Sequence, residues 1–329
     1  MNFELNRRQW GHLAFGLGMS GLMPMSQAQN YPSRPIKLVV PFPPGGSTDV
    51  IARMMAQKLA EALKVNVVVE NKAGVGSILG TDAVAKSAPD GHTLVVSANP
   101  AIAPGPLMRS SMPYDAFRDF THLALLGTFP NGFVVRTDHP AKSMAEFIAM
   151  ARARPGVLNY ASAGLGSSGF LTGELLKQAA SISMVHVPYK GSGPALTDLI
   201  GGQVQYCFET MTSATPHVKS GKAIALAQTR TKRAKGHPNV PTMDEQGFAG
   251  FDATTWYGLV GPAKLNPEFI KRINEDMNKV MAMPDVIEKF DLYGAEDGGG
   301  SPERFAEFIR SETQKWAKVI KDAKVQADS

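Results

Sequence analysis

From residue 35 onward the chain alternates short apolar runs with stretches whose apolar residues recur every three or four positions. Ile36–Phe42 (IKLVVPF) reads as a buried strand. Ser47–Lys64, with Ile51, Met55, Leu59 and Leu63 in register, reads as an amphipathic helix. Val65–Glu70 and Thr93–Ser97 read as further strands, with a Gly-rich turn at Ala73–Gly80 and a short helix at Thr81–Ser87 between them. Strand–helix–strand repeats of this kind predict a parallel α/β sheet.

A second series of the same kind follows. Helical spacing is seen at Ser143–Ala153, Ser168–Ala180 and Pro194–Ile200, and strands are expected at Leu158–Ser162, Met184–Tyr189, Gln203–Phe208 and Ala223–Gln228. Helices return at Pro267–Met281 and Pro302–Lys321. The last has Ser301 as its N-cap and Pro302 in its first turn, and its apolar stripe is Phe305, Phe308, Ile309, Trp316, Val319 and Ile320. An internal echo links the two series. Gly132-Phe133-Val134 and Gly258-Leu259-Val260 each lead through a Pro into a helix opening Glu-Phe-Ile. This pattern predicts two strands that carry the chain from one α/β body to the other and back. The expected division is 29–129 plus 256–329 for the first body and 130–255 for the second, with a ligand cleft between them.

The amino terminus breaks the pattern. Arg7-Arg8 precede an uncharged run from Gly11 to Met25, and Ser26-Gln27-Ala28 supplies a small-x-small cleavage site. This reads as a signal peptide, residues 1–28, rather than a membrane span. Arg7-Arg8-Gln9-Trp10 loosely resembles a twin-arginine signal. The expected location is therefore the periplasm, as an exported soluble protein with no lipid anchor, since no Cys follows the apolar run.

Composition narrows the class without naming it. The chain has 329 residues, 43% apolar and 19% charged, enough for two real cores. Its one cysteine, Cys207, excludes an intrachain disulfide and a Cys-based zinc site. The formal charge of +5 falls to +4 once Glu4, Arg7 and Arg8 are removed, and it is not clustered as nucleic-acid binding would need. No nucleic-acid partner, cofactor or metal is expected.

Three strand-to-helix turns carry the candidate chemistry. They are Pro43-Pro44-Gly45-Gly46-Ser47-Thr48-Asp49, Ser162-Ala163-Gly164-Leu165-Gly166-Ser167-Ser168-Gly169, and Tyr189-Lys190-Gly191-Ser192-Gly193-Pro194. Each ends a strand and opens a helix with glycine and small hydroxyl residues. The first amides of a helix lack internal acceptors and carry partial positive charge, so glycine lets an anion reach them while Ser and Thr add donors. Any one such turn is equally explained by helix capping; three, divided between two bodies, point to one anion held from both sides. Asp49 is expected to orient Ser47, a water or a ligand ammonium. Gly164-x-Gly166-x-x-Gly169 fits the dinucleotide fingerprint, but no acidic residue stands about 20 positions on, so nucleotide binding is not expected.

Signatures of catalysis are poor. There is no Gly-x-Ser-x-Gly elbow, His-Glu-x-x-His pair or phosphate-binding Gly-x4-Gly-Lys loop. His186 is expected to be structural and Cys207 a buried spectator. Trp256 and Tyr257 either pack or line the cleft. A secreted hydrolase using Ser167 or Ser192 as nucleophile would need an aligned His that no motif supplies.

The residues Pro41-Phe42-x-x-Gly45-Gly46-x-x-Asp49, Asn71-Lys72-x-Gly74-x-Gly76, Ala88-Pro89-Asp90-Gly91-x-Thr93-Leu94, Val187-Pro188-Tyr189-Lys190-Gly191, Gly201-Gly202-Gln203-Val204, Pro238-x-Val240-Pro241-Thr242 and Trp256-Tyr257-Gly258-Leu259 resemble the Bug receptors. These are the periplasmic solute-binding proteins of tripartite tricarboxylate transporters, and the resemblance covers 31–329. It implies a two-domain periplasmic binding protein, a type II-like Venus flytrap with two crossing hinge strands and no catalytic activity. It implies capture of a small di- or tricarboxylate, acidic amino acid or aromatic acid by a monomer. The partner would be a set of membrane transporter subunits or a sensor kinase. By position, Phe42, Gly45, Gly46, Ser47, Thr48 and Asp49 would form one wall, and Ser162, Gly164, Ser167, Ser168, Phe170, Tyr189, Gly191 and Ser192 the other. The chain departs from the family pattern at Ala73, where Pro is usual, at Phe170, where His is frequent, and over Asn99–Pro106.

Overall fold

The computed structural model describes residues 31–323, so the expected signal peptide lies outside the described residues. In chain order the elements are β1 (Ile36–Val40), α1 (Ser47–Leu63), β2 (Val67–Asn71), α2 (Ile78–Ala85), β3 (Thr93–Ala98), α3 (Asn99–Ile102), β4 (Phe120–Arg136), α4 (Met144–Ala153), β5 (Asn159–Ser162), α5 (Ser168–Ala180), β6 (Val185–Pro188), α6 (Ser192–Ile200), β7 (Tyr206–Thr210), α7 (Met211–Lys219), β8 (Ala223–Gln228), β9 (Thr254–Pro262), α8 (Pro267–Met281), α9 (Pro284–Tyr293) and α10 (Pro302–Ala323). Among the described residues no helix is long and apolar enough to cross a membrane.

The strands form one path, β2-β1-β3-β9-β4-β7-β5-β6, with β8 paired to β4. β1, β2 and β3 are parallel, as are β5, β6 and β7; β4 and β9 run antiparallel to their neighbours. β4 joins the two halves. Its residues Phe120–Pro130 pair with β9, and Asn131–Arg136 pair with β7 and β8. The echo noted in the sequence is therefore not one of equivalent positions. Gly132-Phe133-Val134 lies in the second half against β7, whereas Gly258-Leu259-Val260 lies in the first half against β3.

Each half is a sheet covered on both faces, as parallel strands require. In the first half, α1 and α8 pack Ile51, Met55, Leu59, Ile273 and Met277 on one face, and Phe305 and Ile309 of α10 meet Trp256 on the other. In the second half, Phe147 of α4 and Leu171 of α5 pack on Phe133, Tyr206 and Phe208, while Leu196 and Leu199 of α6 pack with Met211 and Ala214 of α7 on the opposite face. Local signals set the helix starts. Ser143 accepts from the Glu146 amide, Asn266 from the Glu268 amide ahead of Pro267, and Ser301 from the Arg304 amide.

Several features depart from the expected outline. α2 begins at Ile78, inside the stretch read as a turn, and α6 begins at Ser192, two residues early. β7 runs to Thr210 instead of stopping at Phe208, and α7, rich in Thr and holding Pro216, was not foreseen. α10 does not belong to the first half alone. Trp316 and Ile320 near its end are buried in the second core with Phe170 and Leu171, so this helix ties the halves together opposite the cleft strands.

Candidate ligand-binding site

The first wall is the turn after β1. Gly45 adopts φ 83°, a left-handed angle that favours glycine, and Gly46 precedes α1 with no side chain capping it. Asp49 secures the turn. Its carboxylate accepts from the Gly45 amide at 3.0 Å, Arg53 Nε at 2.9 Å and Asn71 Nδ2 at 2.8 Å, and Asn71 also donates to the Phe42 carbonyl. Burial works against the Asp49 charge, but these hydrogen bonds outweigh it and hold the carboxyl below its usual range. Asp49 is therefore committed to its own loop, against the expectation that it would orient Ser47 or a ligand.

The second wall is the turns after β5 and β6. Ser162 donates to or accepts from His186 Nε2 at 2.7 Å and accepts from the Gly164 amide at 3.1 Å, which fixes the first of these turns. Burial pushes His186 down to about 4, so it is neutral at ordinary pH. Ser167 caps α5 by accepting from the Phe170 amide. Gly191, at φ 141°, precedes α6 without a side-chain cap. The glycines read as a fingerprint have packing reasons. A Cβ on Gly169 would lie 2.2 Å from the Phe208 carbonyl oxygen, and one on Gly166 would lie 2.7 Å from Met108 Cε.

The walls face one cavity lined by Phe42, Pro43, Gly46, Ser47, Thr48, Ala98, Pro100, Ala163, Ser167, Ser168, Gly169, Gly191, Ser192, Gly193, Phe208, Glu209, Thr210, Thr255 and Tyr257. A wider outer space shares Phe42 and Ala163 with it and adds Gly164, Tyr189, Arg109 and Lys190. The N-termini of α1, α5 and α6 all open on the inner cavity, and Thr210, preceding α7, brings a fourth. Their leading amides carry partial positive charge toward one space.

The floor is a buried polar network where the halves meet. Asn131 Oδ1 accepts from Thr255 at 2.9 Å and from Ser168 and Thr210 at 3.4 Å; Thr210 also donates to Thr255 at 3.1 Å. Asn131 Nδ2 donates to the Ala253 carbonyl at 3.0 Å. Beside it Glu209 is 4% exposed. Its Oε1 accepts from Ser192 Oγ at 2.7 Å, the Thr210 amide at 2.9 Å and Ser213 Oγ at 3.0 Å. Burial pushes its carboxyl up against those three donors.

Of the residues expected to form the walls, Phe42, Gly46, Ser47, Thr48, Ser167, Ser168, Gly191 and Ser192 line the inner cavity, and Gly164 and Tyr189 line the outer one. Asp49 and Ser162 are buried behind the surface and Gly45 is exposed outside both linings; all three shape the turns. Phe170 is not on the cleft: it is buried in the second core, its ring 4.5 Å from His186. The side chains missed were Asn131, Glu209, Thr210 and Thr255. The hydrolase reading lacks its geometry, since the one His near these turns pairs with fully buried Ser162, while Ser192 bonds Glu209. Cys207 is buried, as expected of a spectator.

Residues 51–325 match the profile of the family described as tripartite tricarboxylate transporter family receptor. The chain is 39% identical to Protein BugT of Bordetella pertussis over 309 residues, 93% of this chain and 94% of that one. A solved structure described as a periplasmic transporter superposes with a TM-score of 0.87 at 34% identity, covering 91% of this chain and all of the other. A structure of an R. palustris protein with adipate superposes with a TM-score of 0.88 at 33% identity, covering 90% and 99%.

Proposed function

The chain belongs to the tripartite tricarboxylate transporter receptor family, a family of periplasmic solute-binding proteins and not of enzymes, and from that premise we propose that its cleft captures a small organic acid. The observation that carries this reading is the convergence of the α1, α5 and α6 N-termini from both halves on one cavity. A carboxylate there meets oriented amides and the hydroxyls of Ser47, Thr48, Ser168 and Ser192, without a buried Lys or Arg having to supply the charge. The adipate held by the R. palustris relative supports a carboxylate, and the candidates are di- and tricarboxylates, acidic amino acids and aromatic acids.

In this reading residues 1–28 are removed on export and the mature chain is periplasmic without a lipid anchor. The first domain is 29–129 plus 256–329 and the second 130–255, α10 strapping across both. β4 near Pro130 and β9 near Thr254 act as the hinge, and ligand closes the halves for recognition by membrane transporter subunits. The test is thermal denaturation and titration calorimetry of the mature chain with succinate, adipate, citrate, glutamate and benzoate. At least one should raise the melting temperature and bind one to one. No rise with any carboxylate, from protein shown to be free of co-purified acid by native mass spectrometry, would refute the proposal.

A further inference from the structure

Resting on that reading, we propose that Glu209 is itself a ligand-contacting residue: it takes a proton from solvent when the acid enters and donates from Oε2 to the ligand carboxylate. The geometry is one-sided. Among the described residues three hydrogen bonds reach the side chain, all on Oε1 and none on Oε2. The residue is 4% exposed and lines the inner cavity beside Ser192, Thr210 and Tyr257. Those three donors favour a carboxylate in the empty site, and Oε2, which receives none of them, is the oxygen left to bear a proton and donate once a second negative charge enters.

The surroundings hold no cation to keep both charges apart. Among the described residues no Lys, Arg or His ion-pairs with Glu209. α6 presents Ser192 and α7 presents Ser213; β4 places Gly132 opposite it, and α5 brings Ser168 and Gly169 to the same cavity. The ionisable groups that feel its charge are Tyr257 on β9 and Cys207 on β7, both of which burial keeps protonated. The N-termini of α6 and α7 ease one negative charge. A second carboxylate in the same cavity is a like-charge pair, and such pairs share a proton. The balance is simple: one proton passes from solvent to Glu209, no covalent bond to the ligand forms, and the protein–acid complex carries one fewer negative charge than its separate parts.

The experiment is calorimetric titration of the mature chain with each acid of the panel that binds, in two buffers of different ionisation enthalpy, from pH 5.5 to 8. Uptake should approach one proton per acid at the alkaline end, with the dissociation constant rising toward tenfold per pH unit there. Glu209→Gln keeps an acceptor at Oε1 and a donor in place of Oε2, so it should retain binding but take up no proton and vary less than about twofold per pH unit. Binding by the wild type with no proton uptake at any pH overturns the inference and leaves the carboxylate reading standing. Equal pH dependence in wild type and Glu209→Gln also overturns it. Absence of any binding removes the parent reading and this inference together. The wild-type proton count decides the matter even if the variant does not fold.

Discussion

Gly46 faces Ser192 of the other half across the cleft, and substitution there tests whether the halves must meet around the ligand. The glycine has φ −81° and ψ 171°, an extended backbone open to any residue. A Cβ placed on it would lie 3.7 Å from Ser192 Cβ and 3.8 Å from Ser192 N, both in the other half, which is ordinary van der Waals contact. Gly46→Ala should therefore fit. Gly46→Val adds two carbons reaching about 1.5 Å further. They cannot be seated beside Ser192 unless the halves separate. Overpacking of this kind costs about 1–3 kcal/mol. At about 1.4 kcal/mol per factor of ten, acid affinity should fall roughly 5- to 150-fold. Ala and Val are both poor N-caps, so comparing them isolates the added bulk from the loss of a capping glycine. Because opening relieves the clash, the two unliganded variants should melt within a degree or two of each other. Calorimetric titration with the best acid of the panel reads the affinity. A folded Gly46→Val protein binding within twofold of Gly46→Ala would refute the idea that contact between Gly46 and Ser192 belongs to the bound form.

Two further outcomes follow from packing and charge. Gly258 lies under α10, where an added Cβ would stand 2.0 Å from Phe305 Cζ; Gly258→Ala should cost about 1–3 kcal/mol in denaturant unfolding, and an unchanged midpoint would contradict the seating of α10 on β9. Burial pushes His122 and His186 down to about 4, whereas an unfolded histidine titrates near 6.5, so the unfolded chain binds more protons between these values. Melting temperature should accordingly hold steady above about pH 6.5 and fall as pH is lowered from there toward 4; a flat profile over that window would show that these rings are not buried as neutral groups.

The α/β class, Gly46 and Gly191 of the two walls and most strand and helix positions were legible because they follow from short-range physics. Apolar period marks which face is buried, glycine marks an angle other residues avoid, and Ser-Pro or Asn-Pro marks a helix start. Phe42, Gly46, Ser47, Thr48, Ser167, Ser168, Gly191 and Ser192 could be named because they sit on turns whose composition differs from their surroundings. Phe170 went astray for the same reason: it stands in the first turn of α5, but which side of that turn faces the cleft depends on how α5 lies on β7, where Gly169 lets it approach the Phe208 carbonyl.

Glu209 shows the limit most plainly. The apolar run of β7 ends at Phe208, so a reading of hydrophobic period stops one residue before the buried acid on the cavity floor. α7 was hidden because Thr, Ser and Pro are weak helix formers; Met211 and Ala214 hold it by packing on α6. Asn131, Thr210 and Thr255 come from three strands, and Asn131 and Thr255 are 124 residues apart at the two ends of one hydrogen bond. Local pattern alone thus determined the α/β alternation and the three Gly-rich turns. The tertiary structure alone decided which hydroxyls meet at the junction, where α10 straps both cores and which carboxyl is buried among donors. Those arrangements depend on long-range strand pairing, and no local propensity encodes a contact between residues that only the assembled sheet brings together.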